Sequence, residues 1–482
     1  MPQRPNILLL ICDQLSQQAV GAYGHRPAST PRIDHLASGG VRFDRAYTPC
    51  PLCTPARAAF WTGLLPHATG VMSNGRDYPI PPLDEGIATL GSLFADAGYQ
   101  AVHLGKQGCG TALRGFDVRP EQRIVVEPEH PAWTLGADSF KDIHTTQAAV
   151  RFLEEDEARD PFLLVADLNN PHDICHWVGE NAGEHEDTPV PGPLPPLPDN
   201  FEIDDLEQRP RPIQYLCCAH RRQSQATRWS RSNYRHYLAA YHHYARRADR
   251  CIGQILDALS RSRAAENTLI VFFSDHGDGM ARHRQVTKHT GFYEQTTRVP
   301  LVFAGRGVAG AGRAVTPPLV SLLDLLPTLC EAAEIAPPTR LHGRSIWPWV
   351  RSSRDAADEP AYVTSQWHTE WGYTIEPGRM VRTDRYKYTR YLEDDAEELF
   401  DLWADPGEQR TLIDDPAHTE ALRTHRRLLD DCIQRTADPF FTLTWKADSR
   451  WRSHRIGYRH HHGPGAPEAA EAAQAAARRQ KV

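Results

Sequence analysis

The sequence contains little that would place the protein in a membrane, on nucleic acid or in a disulfide-stabilised fold. Its first apolar run, at residues 6–12, is too short to cross a bilayer, and no small-residue cleavage site follows it. The 54 Lys and Arg against 61 Asp and Glu argue against a general nucleic-acid binder. Ten cysteines in 482 residues do not form the pattern of a disulfide framework. We therefore expect a cytoplasmic protein without membrane or nucleic-acid partners.

Short apolar runs recur along the chain and indicate a sheet of buried strands. They cover residues 6–12, 100–104, 162–168, 269–273 and 299–304. Runs of this kind are typical of strands that are buried on both faces of a parallel sheet, and helical patterns lie between them. The sequence therefore predicts an α/β fold with a mostly parallel central sheet flanked by helices.

The length of the chain predicts more than one structural unit, because 482 residues exceed what one hydrophobic core usually serves. We expect a main domain over residues 1–359 and a smaller C-terminal α+β subdomain over residues 360–450, where short strand patterns recur. A Pro-rich segment at residues 176–232 is expected to be a surface insertion. Residues 451–482 are expected to form a flexible tail.

One short motif offers a reactive thiol at a turn. Cys53 is followed by Pro55 and Arg57, and then by small and apolar residues that predict a helix. Cys50 lies three residues earlier, so the pair could also be a redox-active C-x-x-C or half of a zinc site. The sequence has no second C-x-x-C, however, and a redox pair has no use for Pro55 and Arg57. A plain buried cysteine is the remaining alternative.

Two predicted strands end in side chains that can bind a metal ion. Asp13 and Gln14 follow the first apolar run, and Asp275 and His276 follow a later one. Ligands collect at the carboxyl ends of strands in a parallel sheet, so these carboxylates, amide and imidazole could converge on one divalent cation. Taken singly, each Asp could instead cap a helix.

Together these motifs resemble the type I sulfatases, a family of the alkaline phosphatase superfamily. The resemblance spans roughly residues 4–415 and implies an alkaline-phosphatase-like core, a divalent metal and hydrolysis of a sulfate ester. Its segments, in the family order, are Pro5-Asn6-Ile7 into Asp13-Gln14, Thr30 to Ala37, the Cys53 motif, Ser274 to Asp278, Tyr293 to Leu301 and Glu398 to Leu402.

The resemblance implies that Cys53 is oxidised to formylglycine, the work of a formylglycine-generating enzyme during maturation. Hydration of the aldehyde gives a geminal diol, of which one hydroxyl attacks sulfur while the other later expels sulfate. The expected metal is calcium, with manganese or magnesium as alternatives, and the expected substrate is a small-molecule or saccharide sulfate ester. The metal ligands implied are Asp13, Gln14, Cys53, Asp275 and His276.

Further roles follow from the same resemblance. Arg57 would support the formylglycine and its local charge, and Lys106 and Lys288 would bind the sulfate oxygens. His172 is the candidate acid, because the departing alcohol needs a proton. His289 rivals Lys288, since the spacing of this motif can shift by one residue.

Departures from the family pattern keep two alternatives open. Gly108 stands where the family often has a His, which allows a non-catalytic binding protein on the same fold. Gln14 and His276 replace a common Asp and Asn, and this set also resembles phosphonate monoester hydrolases that use the same formylglycine. Asn74 is a candidate substrate contact, although Asn-Gly is also a turn signal.

Overall fold

A computed structural model of the chain gives the arrangement of its strands and helices. The expected tail at residues 451–482 and the candidate residue His289 lie outside the described residues. Those residues are 4–25, 29–75, 80–120, 141–155, 158–180, 193–202, 209–210, 212–213, 226, 229–288, 291–316, 319–352, 362–369, 376–392 and 396–443.

The strands form three sheets. Among the described strands, β10-β2-β9-β7-β1-β6-β4-β5 is an eight-stranded sheet, β11-β3-β8 a small one, and β12-β13-β14-β15 an antiparallel one. The bounds are β1 (Asn6–Asp13), β2 (Val41–Phe43), β3 (Ala46–Tyr47), β4 (Gln100–Gly105), β5 (Asp117–Pro120), β6 (Phe162–Pro171), β7 (Thr268–Ser274), β8 (Arg298–Val299), β9 (Leu301–Gly305), β10 (Arg313–Val315), β11 (Val320–Ser321), β12 (Tyr362–Trp367), β13 (Gly378–Thr383), β14 (Tyr386–Tyr391) and β15 (Glu397–Asp401).

Helices cover both faces of the large sheet. The side chains of β1 alternate between two cores, with Leu8 and Leu10 in one and Ile7, Leu9 and Ile11 in the other. The helix bounds are α1 (Pro31–Ser38), α2 (Cys53–Thr62), α3 (Pro66–Thr69), α4 (Leu90–Asp96), α5 (Lys141–Glu154), α6 (Ile174–Glu180), α7 (Arg231–Arg261), α8 (Glu294–Thr297), α9 (Leu325–Ala332), α10 (Trp347–Arg351) and α11 (Thr419–Thr436).

The large sheet is mostly parallel, as the sequence predicts. Five of the seven pairings among its described strands are parallel, and only β9 runs antiparallel to both of its neighbours. Strand β1 is buried along its whole length and lies between β6 and β7, where Ile7 pairs with Leu163 and Leu269. The carboxyl ends of β1, β4, β6 and β7 therefore meet at one edge of the sheet.

The run expected as one strand at residues 299–304 is divided between two sheets. Val299 pairs with Ala46 in the small sheet, whereas β9 belongs to the large one. Pro300 separates the two strands, and its lack of an N–H group makes it a suitable point for the chain to leave one ladder and enter the next.

The C-terminal part of the described chain is a separate layer, in agreement with the expected α+β arrangement. Strands β12 to β15 form an antiparallel sheet, and α11 packs on it through Leu422, Leu429 and Ile433. The Pro-rich segment is more than a surface insertion, because its Arg209 is buried and hydrogen-bonds Glu398 of β15 at 3.0 Å. Within the described residues, no helix has both the length and the apolar character needed to cross a bilayer.

Candidate active site

Cys53 is the first residue of α2, close to the carboxyl edge of the large sheet. Leu52 before it is extended, and Pro55 falls in the first helical turn, where a missing N–H group breaks no intrahelical bond. Arg57 comes four residues later and thus lies on the same helix face as Cys53. The local sequence therefore places the thiol and the guanidinium side by side.

The Cys53 thiol is 4% exposed and lies among charged groups. Its Sγ is 2.9 Å from Lys288 Nζ, 3.2 Å from His276 Nε2 and 3.6 Å from Asp13 Oδ1. Burial raises the pKa of the thiol, but the ammonium groups of Lys288 and Lys106 more than offset it, and the net pKa lies below its usual value.

Arg57 connects three buried carboxylates. Its Nε donates to Asp275 Oδ2 at 3.0 Å, its Nη2 lies 3.5 Å from Asp13 Oδ2, and its Nη1 donates to Asp167. All four side chains are fully buried. Burial opposes the charge of Arg57, but the three carboxylates outweigh it and hold the pKa of the guanidinium well above its usual value.

Four of the predicted metal ligands come together. Asp13, Cys53, Asp275 and His276 each offer one donor atom within 4.8 Å of the others. His276 Nδ1 lies 2.8 Å from the carbonyl oxygen of Gly277, which can only accept, so Nδ1 carries a hydrogen and Nε2 is the ring nitrogen that faces Cys53.

Gln14, the fifth predicted ligand, is held in place from several sides. Its Nε2 donates to Asp278 Oδ2 at 2.7 Å, which directs Oε1 towards Lys288 Nζ at 2.8 Å. Its backbone has φ of 69°, a strained value for a residue with a side chain, and the Tyr241 hydroxyl donates to its carbonyl at 2.6 Å. Tyr237 donates to the other oxygen of Asp278.

These donors suit a divalent cation. The set combines two carboxylates, one amide oxygen and one imidazole nitrogen, all buried, and hard cations prefer such oxygen-rich sets. Burial raises the pKa of Asp13, yet Lys106 and Lys288 outweigh it and hold that pKa well below its usual value. Asp13 is therefore ionised and ready to bind a cation.

Lys106 and Lys288 place two positive charges beside Cys53. Lys106 follows β4, ion-pairs with Asp13 and keeps 15% of its side chain exposed. Lys288 is almost fully buried between Gln14 and Cys53. Both lysines therefore lie close to Cys53, although they are far apart in the sequence.

His172, Asn74 and Gly108 lie around this centre. His172 follows β6 at the same sheet edge, and its charge acts on Asp13. Asn74 Oδ1 accepts from the backbone N–H of Thr54 at 3.0 Å, so it also holds the start of α2. A Cβ added at Gly108 would lie 3.2 Å from Arg57 Cδ, so the missing side chain leaves room for Arg57.

Several buried residues of the site are not predicted by the sequence patterns. Asp167 binds Arg57 and lies 3.3 Å from His103 Nε2, and Asp142 accepts from the backbone of Asn170 at 3.1 Å. Asp278 and the two tyrosines of α7 support Gln14 as described. Asp167 lies inside an apolar strand, where an isolated carboxylate is the one available signal because buried charges need partners.

The C-x-x-C alternatives are not supported by the geometry. Cys50 and Cys53 are both free, and the group of possible metal ligands around Cys53 excludes Cys50. Burial raises the pKa of the Cys50 thiol far above its usual value, which makes it inert. Only one cysteine of the pair therefore has a reactive environment.

Comparisons with known proteins agree with this arrangement. A family model described as Sulfatase matches residues 5–335, and one described as N-sulphoglucosamine sulphohydrolase, C-terminal, matches residues 283–435. A Delta 4,5-hexuronate-2-O-sulfatase of Bacteroides thetaiotaomicron is 47% identical over 468 residues, which cover 97% of this chain and 96% of that protein.

Solved structures show the same similarity. A 2-O GAG sulfatase matches with a TM-score of 0.90 at 46% identity, covering 97% of this chain and 100% of the other. The phosphonate monoester hydrolase of Agrobacterium radiobacter matches with a TM-score of 0.74 at 22% identity, covering 91% and 97%. The second match shows a shared fold alone.

Proposed function

The chain belongs to the sulfatase family, and on this premise we propose that it removes the 2-O-sulfate of a 4,5-unsaturated hexuronate in a glycosaminoglycan fragment. The 47% identity to a relative of that name, over 97% of this chain, carries the proposal. A 4,5 double bond removes the C4 hydroxyl through which a saccharide would continue. The substrate is therefore the terminal residue of its fragment.

The family places the chain among sulfuric ester hydrolases and confirms the predicted fold and enzyme class. The non-catalytic alternative loses its basis, because the chain aligns with a sulfatase over almost its full length. The phosphonate alternative rests on the donor set of Gln14 and His276 and on a match at 22% identity, and it becomes an arm of the test below.

We further propose that Cys53 is the residue converted to formylglycine. Its position at the start of α2, between Lys288 and the ligand group, supports this role. The hydrated aldehyde supplies a hydroxyl that attacks sulfur, and its second hydroxyl allows sulfate to leave afterwards. A maturation enzyme that oxidises Cys53 is the partner this requires.

The metal would be held by Asp13, Gln14, Asp275, His276 and the modified Cys53, with calcium expected before manganese or magnesium. When bound, the cation supplies positive charge that stabilises the negative oxygens of the transferring sulfuryl group. Four of these residues offer donor atoms within 4.8 Å of one another, and the backbone N–H of Gln14 donates to Asp275 Oδ1 at 3.0 Å.

The remaining side chains have distinct tasks. Lys106 and Lys288 bind sulfate oxygens and stabilise charge that develops as the ester breaks. His172 donates a proton to the departing sugar hydroxyl, since it lies at the edge of this centre. Arg57 holds Asp13 and Asp275 in position.

Sulfate release from defined disaccharides tests the proposed function. Full-length protein, produced with a formylglycine-generating enzyme, should release sulfate fastest from a 2-O-sulfated, 4,5-unsaturated disaccharide. The saturated 2-O-sulfated, 6-O-sulfated and N-sulfated analogues and an aryl phosphonate serve as competitors. Preference for any of these would contradict the substrate, and preference for the phosphonate would support the alternative.

Two variants test the nucleophile. Cys53→Ala should abolish sulfate release, whereas Cys50→Ala, in the same loop, should retain it. Mass spectrometry of the peptide that contains residue 53 should show the aldehyde. An unmodified thiol in fully active protein would contradict the role of formylglycine.

A further inference from the structure

A second group of possible metal ligands lies beside the active site. His172, Asp173 and His176 each offer one donor atom, and these atoms lie within 4.8 Å of one another. His172 and Asp173 are partly buried and His176 is exposed, so an ion could enter from solvent. The group shares no residue with the ligand set around Cys53.

The backbone fixes the spacing of these three residues. Asp173 and His176 are joined by the first turn of the helix, where the N–H of His176 donates to the carbonyl of Asp173 at 2.9 Å. The N–H of Cys175 likewise donates to the carbonyl of His172 at 2.9 Å. Two histidines four residues apart then lie on one face of this turn, with ring centroids 6.0 Å apart.

The carboxylate of Asp173 is oriented by its neighbours. Asn169 Nδ2 donates to one of its oxygens at 2.8 Å, and Asn170 Nδ2 donates to the other at 3.1 Å. Hydrogen bonds of this kind are typical of carboxylates that bind metals, because they fix the direction of the remaining lone pairs. The two hydrogen bonds thus fix the orientation of the Asp173 carboxylate.

The chemistry of this group differs from that of the first site. Two imidazoles and one carboxylate favour zinc and similar transition metals, whereas calcium prefers oxygen donors, which predominate in the first site. The two groups are also neighbours in the structure. Cys175, which precedes His176, donates from its Sγ to Oε1 of Gln14 at 3.2 Å. An ion bound to His172 would therefore lie at the edge of the catalytic centre.

We propose that His172, Asp173 and His176 form a second metal site, selective for zinc-like cations, whose occupation inhibits the enzyme. The inhibition rests on the proposed function of His172, because a metal-bound imidazole cannot donate the proton that the leaving hydroxyl needs. The binding of the ion does not depend on that role.

Binding is measured first, without reference to activity. Full-length Cys53→Ala protein, saturated with calcium, is titrated with zinc by calorimetry, and a cobalt titration is followed by visible absorption. One zinc should bind with retention of calcium. His176→Gln should weaken zinc binding by about tenfold or more, since even the loss of a residue that only supports a ligand has effects of about that size.

A matched control separates the site from general histidine binding. His35, which is exposed at the end of α1, is replaced in His35→Gln, and this variant should bind zinc as the parent does. Unchanged zinc binding in His176→Gln, or release of calcium by zinc, would overturn the proposed site.

Inhibition is measured next on mature protein. His176→Gln should keep the basal rate of sulfate release, while the zinc concentration for half inhibition should rise about tenfold or more. Equal inhibition of parent and variant would overturn the inhibitory role. Zinc binding by a protein that hydrolyses none of the sulfated saccharides would instead refute the proposed function and leave the metal site intact.

Discussion

Arg57 is the residue on which the charge balance of the site depends. It is fully buried and contacts Asp13, Asp167 and Asp275, so one guanidinium faces three carboxylates. A planar group with five donors can reach three carboxylates in different directions, whereas an ammonium has three donors on a single nitrogen. The side chain therefore has a structural task as well as a position next to Cys53.

We predict that Arg57→Gln lowers the free energy of unfolding by about 3–5 kcal/mol, because it removes the cation that three buried carboxylates share. Arg57→Lys should be intermediate, and both variants should lose sulfatase activity. Urea unfolding followed by fluorescence measures the first effect. As a control, Arg423→Gln removes an exposed arginine and should change stability by less than about 0.5 kcal/mol. Equal stability of the Arg57 and Arg423 variants would contradict the prediction.

Asp278 sets the orientation of the Gln14 amide. Its Oδ2 accepts from Gln14 Nε2, so the amide oxygen points towards Lys288 Nζ beside Cys53. In Asp278→Asn, the new amide can keep its oxygen towards Tyr237 and turn its nitrogen to Gln14, which favours a flipped Gln14. We predict that metal affinity, measured by calorimetry, falls about 10–100-fold.

The exposed Asp257 provides the matched control for this change. Asp257→Asn removes one carboxylate without touching the site, and its metal affinity should equal that of the parent. A normal affinity in Asp278→Asn would show that the Gln14 amide is not held by this contact.

Sequence patterns identify the site residues that stand at strand ends and miss those that lie inside a strand or a helix. Asp13 and Asp275 stand at strand ends, where a polar residue after an apolar run is visible and the parallel arrangement predicts convergence. Asp167 and Tyr241 lie inside a buried strand and a long helix, and their partners are 110 and 227 residues away. No local pattern encodes such contacts.

At the scale of elements, the start of α2 depends on a side chain from another loop. Leu52 cannot cap the helix, and Asn74 Oδ1 instead accepts from the Thr54 N–H. We predict that Asn74→Ala lowers the free energy of unfolding by about 1 kcal/mol, the usual value of such a cap. Asn74→Asp keeps the acceptor and should retain the stability of the parent.

The same pair of variants tests the substrate contact expected of Asn74. Only the amide can donate to a sulfate or sugar oxygen, so KM should rise in both variants. A parental KM in Asn74→Asp would contradict the substrate contact, and a parental stability in Asn74→Ala would contradict the capping role.

The strands of the large sheet are predictable from the sequence to different degrees. The apolar runs at residues 6–12 and 269–273 both match observed strands, because each run is continuous. The prediction of one strand over residues 299–304 is wrong. The apolar pattern does not reveal that Pro300 separates two strands that belong to different sheets. The antiparallel direction of β9 relative to β2 and β7 depends on the connections between strands, which the apolar pattern does not encode.

At the scale of the whole molecule, a buried ion cluster joins the C-terminal sheet to the main one. Lys387 of β14 lies 2.8 Å from both Glu294 of α8 and Glu408. Burial raises the pKa of Glu408 to about 7, although Lys387 opposes this, while Lys387 lowers the pKa of Glu294 to about 2 against the effect of burial. One cation therefore serves two carboxyl groups with opposite shifts.

We predict that this cluster makes stability depend on pH in a defined window. The pKa of Glu408 is higher in the folded state than in the unfolded chain, so its contribution is complete below about pH 4.5 and is lost as pH rises through about 7. The parent should therefore lose stability relative to Glu408→Gln over this range, by about 3 kcal/mol at most.

Urea unfolding at several values between pH 4.5 and pH 8 measures this difference, and the folded-state titration of Glu294 lies below this range. Glu408→Gln could be less stable than the parent by the same amount at every pH. This would not affect the test, because the prediction concerns how the free energy of unfolding changes with pH. Glu420→Gln, an exposed change on α11, should keep the parental slope. Parallel pH profiles for parent and Glu408→Gln would mean that Glu408 stays ionised, and that Lys387 compensates both carboxylates at the junction of the two sheets.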